Sequence, residues 1–203
     1  MGEFEFDKKF GIRTSGIKEW GDDFYHYHRC EPTPYKALEK LFNNYNPEKS
    51  GRLVDFGSGK GRVAFYIHNR FQIPVVGIEA QDDVIDEALD NKKRYRLRAK
   101  NIEAPIRFEY GLAEDYEVKP QDNIFFFFNP FSADVFRDVL KNIRVSLKES
   151  PREADLILYY PMPKYKKIME NAQEFEIHNK VAIQGARDNR DKFIVYRHRP
   201  DEE

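Results

Sequence analysis

The residues best equipped for chemistry are gathered in one short turn, Asp55-Phe56-Gly57-Ser58-Gly59-Lys60-Gly61-Arg62. Glycines at alternate positions let a backbone turn sharply and approach a ligand with no Cβ in the way. Amides of such a turn, and of a helix that follows it, can face a carboxylate or a phosphate. Asp55 adds a carboxylate suited to a cationic or amine group. Glu79 comes 24 residues after Asp55, and an acid ending the next strand can accept hydrogen bonds from both hydroxyls of a ribose. A third candidate is Asn129-Pro130-Phe131, directly after the run Phe125–Phe128. Asn129 offers one acceptor and two donors, and Phe131 offers a stacking face.

Such groups act together only if a scaffold delivers them to one place. Arg52–Phe56 reads as a short buried strand, the glycine turn follows, and an apolar helix runs from Arg62 to about Phe71. Strands at 74–79, 106–110, 123–128 and 155–160 alternate with helices at 84–100 and 135–147, which predicts a doubly wound, mostly parallel α/β sheet. Late candidate strands at 180–184 and 193–198 predict an antiparallel edge, seven strands in all. Ala37, Leu38, Leu41 and Phe42 recur at helical spacing after Pro32 and Pro34. The aromatic N-terminus, with Trp20, Phe24, Tyr25 and Tyr27, otherwise reads as irregular. The expected division is an extension over 1–47, helical in part and lying on or capping the site, and an α/β domain over 48–203. Ligands of parallel sheets sit at the carboxyl ends of the strands, where Asp55, Glu79 and Asn129 all fall.

Bulk composition narrows the function class. The 203 residues carry 34 basic and 35 acidic side chains, so no global basic field marks a nucleic-acid binder. Hydrophobic residues make up 40% and aromatics 15%, enough for a real core. Cys30 is the only cysteine, so neither an internal disulfide nor a thiolate metal cluster is expected. His26 and His28 alternate but lack a nearby carboxylate or cysteine to complete a metal site. With no signal-peptide core and no apolar run of spanning length, the expectation is a cytoplasmic protein with no membrane and no metal partner.

The stretch Val54–Gly61 with Glu79 resembles the class I (Rossmann-like) S-adenosylmethionine-dependent methyltransferases, a resemblance that covers roughly 53–198. The nicotinamide fingerprint differs, because its third glycine falls three residues after the second. The resemblance implies S-adenosyl-L-methionine as cofactor, bound by Asp55, Gly57, Ser58, Gly59 and Gly61, with Glu79 on the ribose. The family often has Gly-Asp-Ala after the third strand; here the segment is Gly111-Leu112-Ala113-Glu114-Asp115. Leu112 cannot accept a hydrogen bond from the adenine amine, so Ala113 and Glu114 are the candidates there. Asn129-Pro130-Phe131 resembles a shortened Asn-Pro-Pro-Tyr motif of methyltransferases acting on planar nitrogens in amides and base amines, which implies acceptor binding by these three residues. One proline of the motif and the aromatic hydroxyl are missing.

The acceptor stays open between small molecule, protein and nucleic acid. Thr33 and Tyr35 are further candidates for cofactor contact, Tyr159–Pro163 and the polar segment 185–192 for substrate contact. The basic run Lys92, Lys93, Arg94, Arg96, Arg98 and Lys100 could follow a nucleic-acid backbone or form a solvated face. The alternative from another class is a module that binds the cofactor or a nucleotide without catalysis, as sensor or partner subunit.

Overall fold

Phe125, Phe126 and Phe127 alternate between the two faces of one sheet, and both faces are covered. Phe126 enters a core with Leu53, Ile157 and Val195, whereas Phe125 and Phe127 enter a second core with Val54, Phe56 and Leu156. A strand buried on both sides needs apolar residues at every position, which is why this run is unbroken. The computed structural model describes residues 2–18, 26–47, 51–183, 185 and 188–200.

In chain order the elements are α1 (Glu3–Phe10), α2 (Tyr35–Phe42), β1 (Arg52–Phe56), α3 (Arg62–Phe71), β2 (Val75–Glu79), α4 (Asp82–Arg96) and β3 (Ile106–Tyr110). A 3-10 turn at Ala113–Asp115 precedes β4 (Asp122–Phe127), α5 (Ala133–Glu149), β5 (Ala154–Tyr159), α6 (Pro163–Glu170), β6 (Glu176–Ala182) and β7 (Lys192–His198). The seven strands are ordered β3-β2-β1-β4-β5-β7-β6. β1 pairs in parallel with both β2 and β4, so strand order reverses on either side of it. β7 runs antiparallel between β5 and β6 and is the reversed strand. The α/β architecture expected from the alternating pattern is therefore present, with the antiparallel pairing near one edge.

Two helices depart from the sequence reading. The N-terminal stretch read as irregular contains α1, whose Phe6 and Phe10 lie one turn apart and are both buried. Charged neighbours mask that stripe in sequence. Phe6 stacks on Tyr35 with centroids 4.4 Å apart, joining α1 to α2. Asp7 is buried beside them and accepts hydrogen bonds from the Thr14 amide, the Thr14 hydroxyl and the Tyr35 hydroxyl, each at 2.7 Å. The second is α6, which begins at Pro163; proline suits the first helical turn because its missing N–H has no partner there. β6 also starts four residues before the expected 180. Trp20, Phe24 and Tyr25 lie outside the described residues, as do Gln184, Ala186 and Arg187.

Candidate functional site

Asp55 lies on β1 just before the glycine turn, and burial together with the nearby Glu79 carboxylate pushes its pKa up to about 8. Its Oδ2 is buried and has no hydrogen-bond partner in the protein; the same is true of the Ser58 hydroxyl three residues on. An unpaired buried polar group carries a desolvation cost. Two of them lie under a glycine turn, a carboxyl oxygen and a hydroxyl that a ligand's hydrogen-bonding groups can satisfy. Gly57 takes φ +70° and packs so closely on the next loop that an added Cβ would stand 2.3 Å from the Pro130 Cβ. The turn's own amides point back into the sheet, since Gly57 and Ser58 both donate to the Ile78 carbonyl.

Glu79 ends β2 beneath this turn and is nearly fully buried. Its Oε2 accepts from the Gly59 amide at 2.8 Å, and its Oε1 accepts from the amides of Ala80 and Gln81, both at 3.0 Å. A carboxylate has about four acceptor positions. Three are filled by backbone, so the acid also clamps the turn, a role its sequence position did not reveal.

Asp55, Gly57, Ser58, Gly59 and Glu79 line one cleft. Its outer wall comes from residues 27–33, including Cys30 and Thr33. The Cys30 sulfur sits against Gly59, where a Cβ would approach it to 2.7 Å. Burial pushes the Cys30 thiol up to about 11. Residues 26–32 are stitched to the end of β4: the His28 amide donates to the Pro130 carbonyl at 2.9 Å and the Ser132 amide to the His26 carbonyl at 2.6 Å.

Other expected site residues fall elsewhere. Gly61 starts α3 against Phe65 and Phe108, a packing position. Tyr35 is fully buried in the core. Ala113 and Glu114 do not line the cleft; the Tyr27 hydroxyl accepts from the Ala113 amide at 3.0 Å and donates to the Glu114 carboxylate at 2.6 Å. The basic run does not present one free face. Arg94 donates to the Asn91 side chain, Arg96 to the Ile102 carbonyl and Arg98 to the Lys8 and Lys9 carbonyls. No group of three metal-ligating side chains occurs among the described residues, and no helix among them is long and apolar enough to cross a membrane.

Asn129 and Pro130 adjoin the cleft, Pro130 in its wall and Asn129 in a second cavity next door. Asn129 takes φ +42°. Its Nδ2 donates to the Tyr160 carbonyl at 2.6 Å, while its Oδ1 is buried without a partner. Phe131 is fully buried, edge-on to Tyr27 and Phe127. It supports the loop from below and offers no face to either cavity. Phe128, Tyr159 and Tyr160 line the second cavity instead.

A family model described as a methyltransferase domain matches residues 28–144, more than half of the chain. The chain belongs to this family. The matched segment of the methyltransferase domain holds the glycine turn, Glu79 and Asn129. No curated protein matches the chain. Similar solved folds include an RNA methyltransferase from Salinibacter ruber in complex with S-adenosyl-L-homocysteine, at 18% identity over 85% of this chain and 95% of that one, TM-score 0.55. An rRNA methylase from Streptococcus thermophilus matches at 13% identity over 81% and 95%, TM-score 0.55. A TehB-like SAM-dependent methyltransferase from Corynebacterium glutamicum matches at 15% identity over 82% and 88%, TM-score 0.55. These likenesses establish the Rossmann-like fold of the methyltransferase domain.

Proposed function

We propose that this methyltransferase domain binds S-adenosyl-L-methionine in the cleft over the glycine turn and methylates an amine nitrogen presented at Asn129. The observation that carries the reading is the pair of unpartnered buried polar atoms, Asp55 Oδ2 and Ser58 Oγ, in the same cleft as Glu79. An amino acid moiety brings an ammonium, which satisfies both. When bound, the cofactor supplies an electrophilic methyl group. Glu79 keeps one acceptor position for a ribose hydroxyl once its three backbone bonds are counted. Asn129 Oδ1 takes an N–H of the acceptor and thereby aims the nitrogen lone pair, and holding such a geometry supplies much of the rate. The nitrogen lone pair forms the new N–C bond as the methyl's bond to sulfur breaks, and the methylated nitrogen then loses its extra proton to solvent. Recognition of adenine by Ala113 and Glu114 requires Tyr27 to turn away, because its hydroxyl bridges both.

Residues 1–47 act as a cap in this proposal, with 48–203 as the catalytic domain. The wall formed by 27–33 supports that role, since it lines the same cleft as the glycine turn. Titration calorimetry with S-adenosyl-L-homocysteine tests the cofactor: saturable binding is expected, and its absence overturns the proposal. Transfer of labelled methyl groups from S-adenosyl-L-methionine to fractionated cell extract tests catalysis. Binding with no labelled product in any fraction would leave a non-catalytic module.

A further inference from the structure

Resting on the acceptor site proposed above, we infer that Tyr160, not Phe131, is the stacking surface for the acceptor, and that the acceptor is a neutral heteroaromatic ring with an exocyclic amine. Asn129 and Tyr160, at the ends of β4 and β5, both take the left-handed backbone conformation, with φ +42° and +49°. Non-glycine residues hold that conformation at a cost, and such positions cluster at functional sites. The 2.6 Å bond from Asn129 Nδ2 to the Tyr160 carbonyl locks the two together. One of the two amide N–H groups is committed to that bond, and the buried Oδ1 stands as an unpaired acceptor. The unpaired Oδ1 therefore favours a group that donates an N–H.

The aromatic walls set the shape of what carries that group. Tyr160 is held from behind: the Arg190 guanidinium lies 4.9 Å from its ring centroid, and its hydroxyl donates to Asp188. Arg190 in turn grips Asp188 through Nε at 2.9 Å and Nη2 at 2.5 Å. Phe128 and Tyr159 line the same cavity with centroids 4.6 Å apart; the Tyr159 ring is buried against Phe193, centroids 4.4 Å apart, and its hydroxyl donates to Asp191 at 2.7 Å. With its hydroxyl committed, Tyr160 contributes its ring face. Arg190 already occupies the attraction of the Tyr160 ring for a cation, so the remaining face suits a neutral ring. Phe131, fully buried under the loop, is unable to serve.

The test uses the full chain saturated with S-adenosyl-L-homocysteine and titrates 9-methyladenine and 9-methylpurine by saturation-transfer NMR. The two rings stack alike, but only the first has an amine. 9-Methyladenine should bind about tenfold tighter, the difference expected when a buried acceptor is left unpaired by the analogue. Tyr160→Ala should weaken 9-methyladenine about tenfold, the scale of one base–aromatic stack, with S-adenosyl-L-homocysteine affinity unchanged. Tyr160→Phe keeps the ring and should retain most of the binding, which separates stacking from a folding defect. Equal affinity for the two rings, or wild-type ring binding by Tyr160→Ala, overturns the inference. Failure of S-adenosyl-L-homocysteine itself to bind overturns the cofactor reading beneath it as well.

Discussion

The Glu79 carboxylate accepts the Gly59 amide at 2.8 Å, so the acid that ends β2 also holds the turn that follows β1. Replacing it tests two functions at once. Glu79→Ala leaves the amides of Gly59, Ala80 and Gln81 without this acceptor in a buried site. Unfolding free energy should fall by about 2 kcal/mol, read by urea denaturation. Affinity for S-adenosyl-L-homocysteine should fall at least about tenfold, or ~1.4 kcal/mol. Unchanged affinity would remove Glu79 from the ribose. Loss of binding here does not imply loss of a ribose contact alone, because the turn loosens too.

Asp55 makes cofactor affinity pH-dependent. Burial and the nearby Glu79 hold it near 8, so the empty site is mostly protonated at pH 7. An ammonium beside it favours the carboxylate and lowers that value. Binding then releases a proton below pH 8, and affinity should rise with pH, approaching tenfold per unit, before levelling above about 8. Calorimetry in buffers of different ionisation enthalpy measures the released proton. Asp55→Asn should flatten the slope; a slope that survives the substitution would assign the effect to another group. The same raised value has a stability consequence of definite sign. The folded apoprotein binds the proton more tightly than the unfolded chain does. Asp55 therefore favours folding at low pH, and this contribution is lost as pH rises through 8.

Gly57→Ala forces a methyl group to within 2.3 Å of the Pro130 side chain at a backbone φ of +70°. Both the clash and the conformation are unfavourable, and a loss of at least about 2 kcal/mol is expected. Because the displaced neighbour is Pro130, the acceptor loop should shift along with the cofactor turn. Amide chemical shifts of 128–132 report this, and shifts confined to 55–61 would contradict the coupling.

Asp7→Ala probes the extension. It strips the Thr14 amide, the Thr14 hydroxyl and the Tyr35 hydroxyl of their shared buried acceptor. At least about 3 kcal/mol of stability should go. The effect extends to the site, because the Thr14 hydroxyl also accepts from Arg62 Nε at 2.8 Å at the start of α3, and the Arg62 guanidinium lies 4.5 Å from the Tyr35 ring centroid. Proteolysis of the variant should therefore reach 2–18 first, and cofactor affinity should fall with it. Wild-type affinity after such cleavage would make the extension a passive attachment.

The sheet was legible because its strands are dense apolar blocks separated by helical periods, as at 52–56 and 124–127. The cofactor turn was legible because glycine spacing is a backbone signal that survives without knowledge of the tertiary fold. α1 was hidden by the charges flanking Phe6 and Phe10, which only α2 and α4 reveal as a buried stripe. Phe131 offers a stacking face in sequence, but the fold buries it. The left-handed turn at Asn129 comes two residues earlier, and the ring is fully buried edge-on to Tyr27 and Phe127 instead of lining the cavity. Tyr160 falls in the stretch 159–163, a sequence candidate for substrate contact. In sequence it ends a strand, and its clamp by Asp188 and Arg190 comes from 28 and 30 residues later, a contact that no local pattern encodes.

The position of β7 sets an order of assembly. β5 pairs on one side with β4 but on the other with β7, the last strand among the described residues. Until β7 arrives, β5 exposes a row of unpaired amides and carbonyls flanked by apolar side chains, the kind of edge that recruits strands from other molecules. β6 and β7 form a hairpin of local contacts, so they can pair first and then dock together. The cofactor half of the sheet can thus form early during synthesis. The acceptor half, including the residues that brace Tyr160, waits on β7, and a nascent chain stalled before 192 is the species most exposed to aggregation.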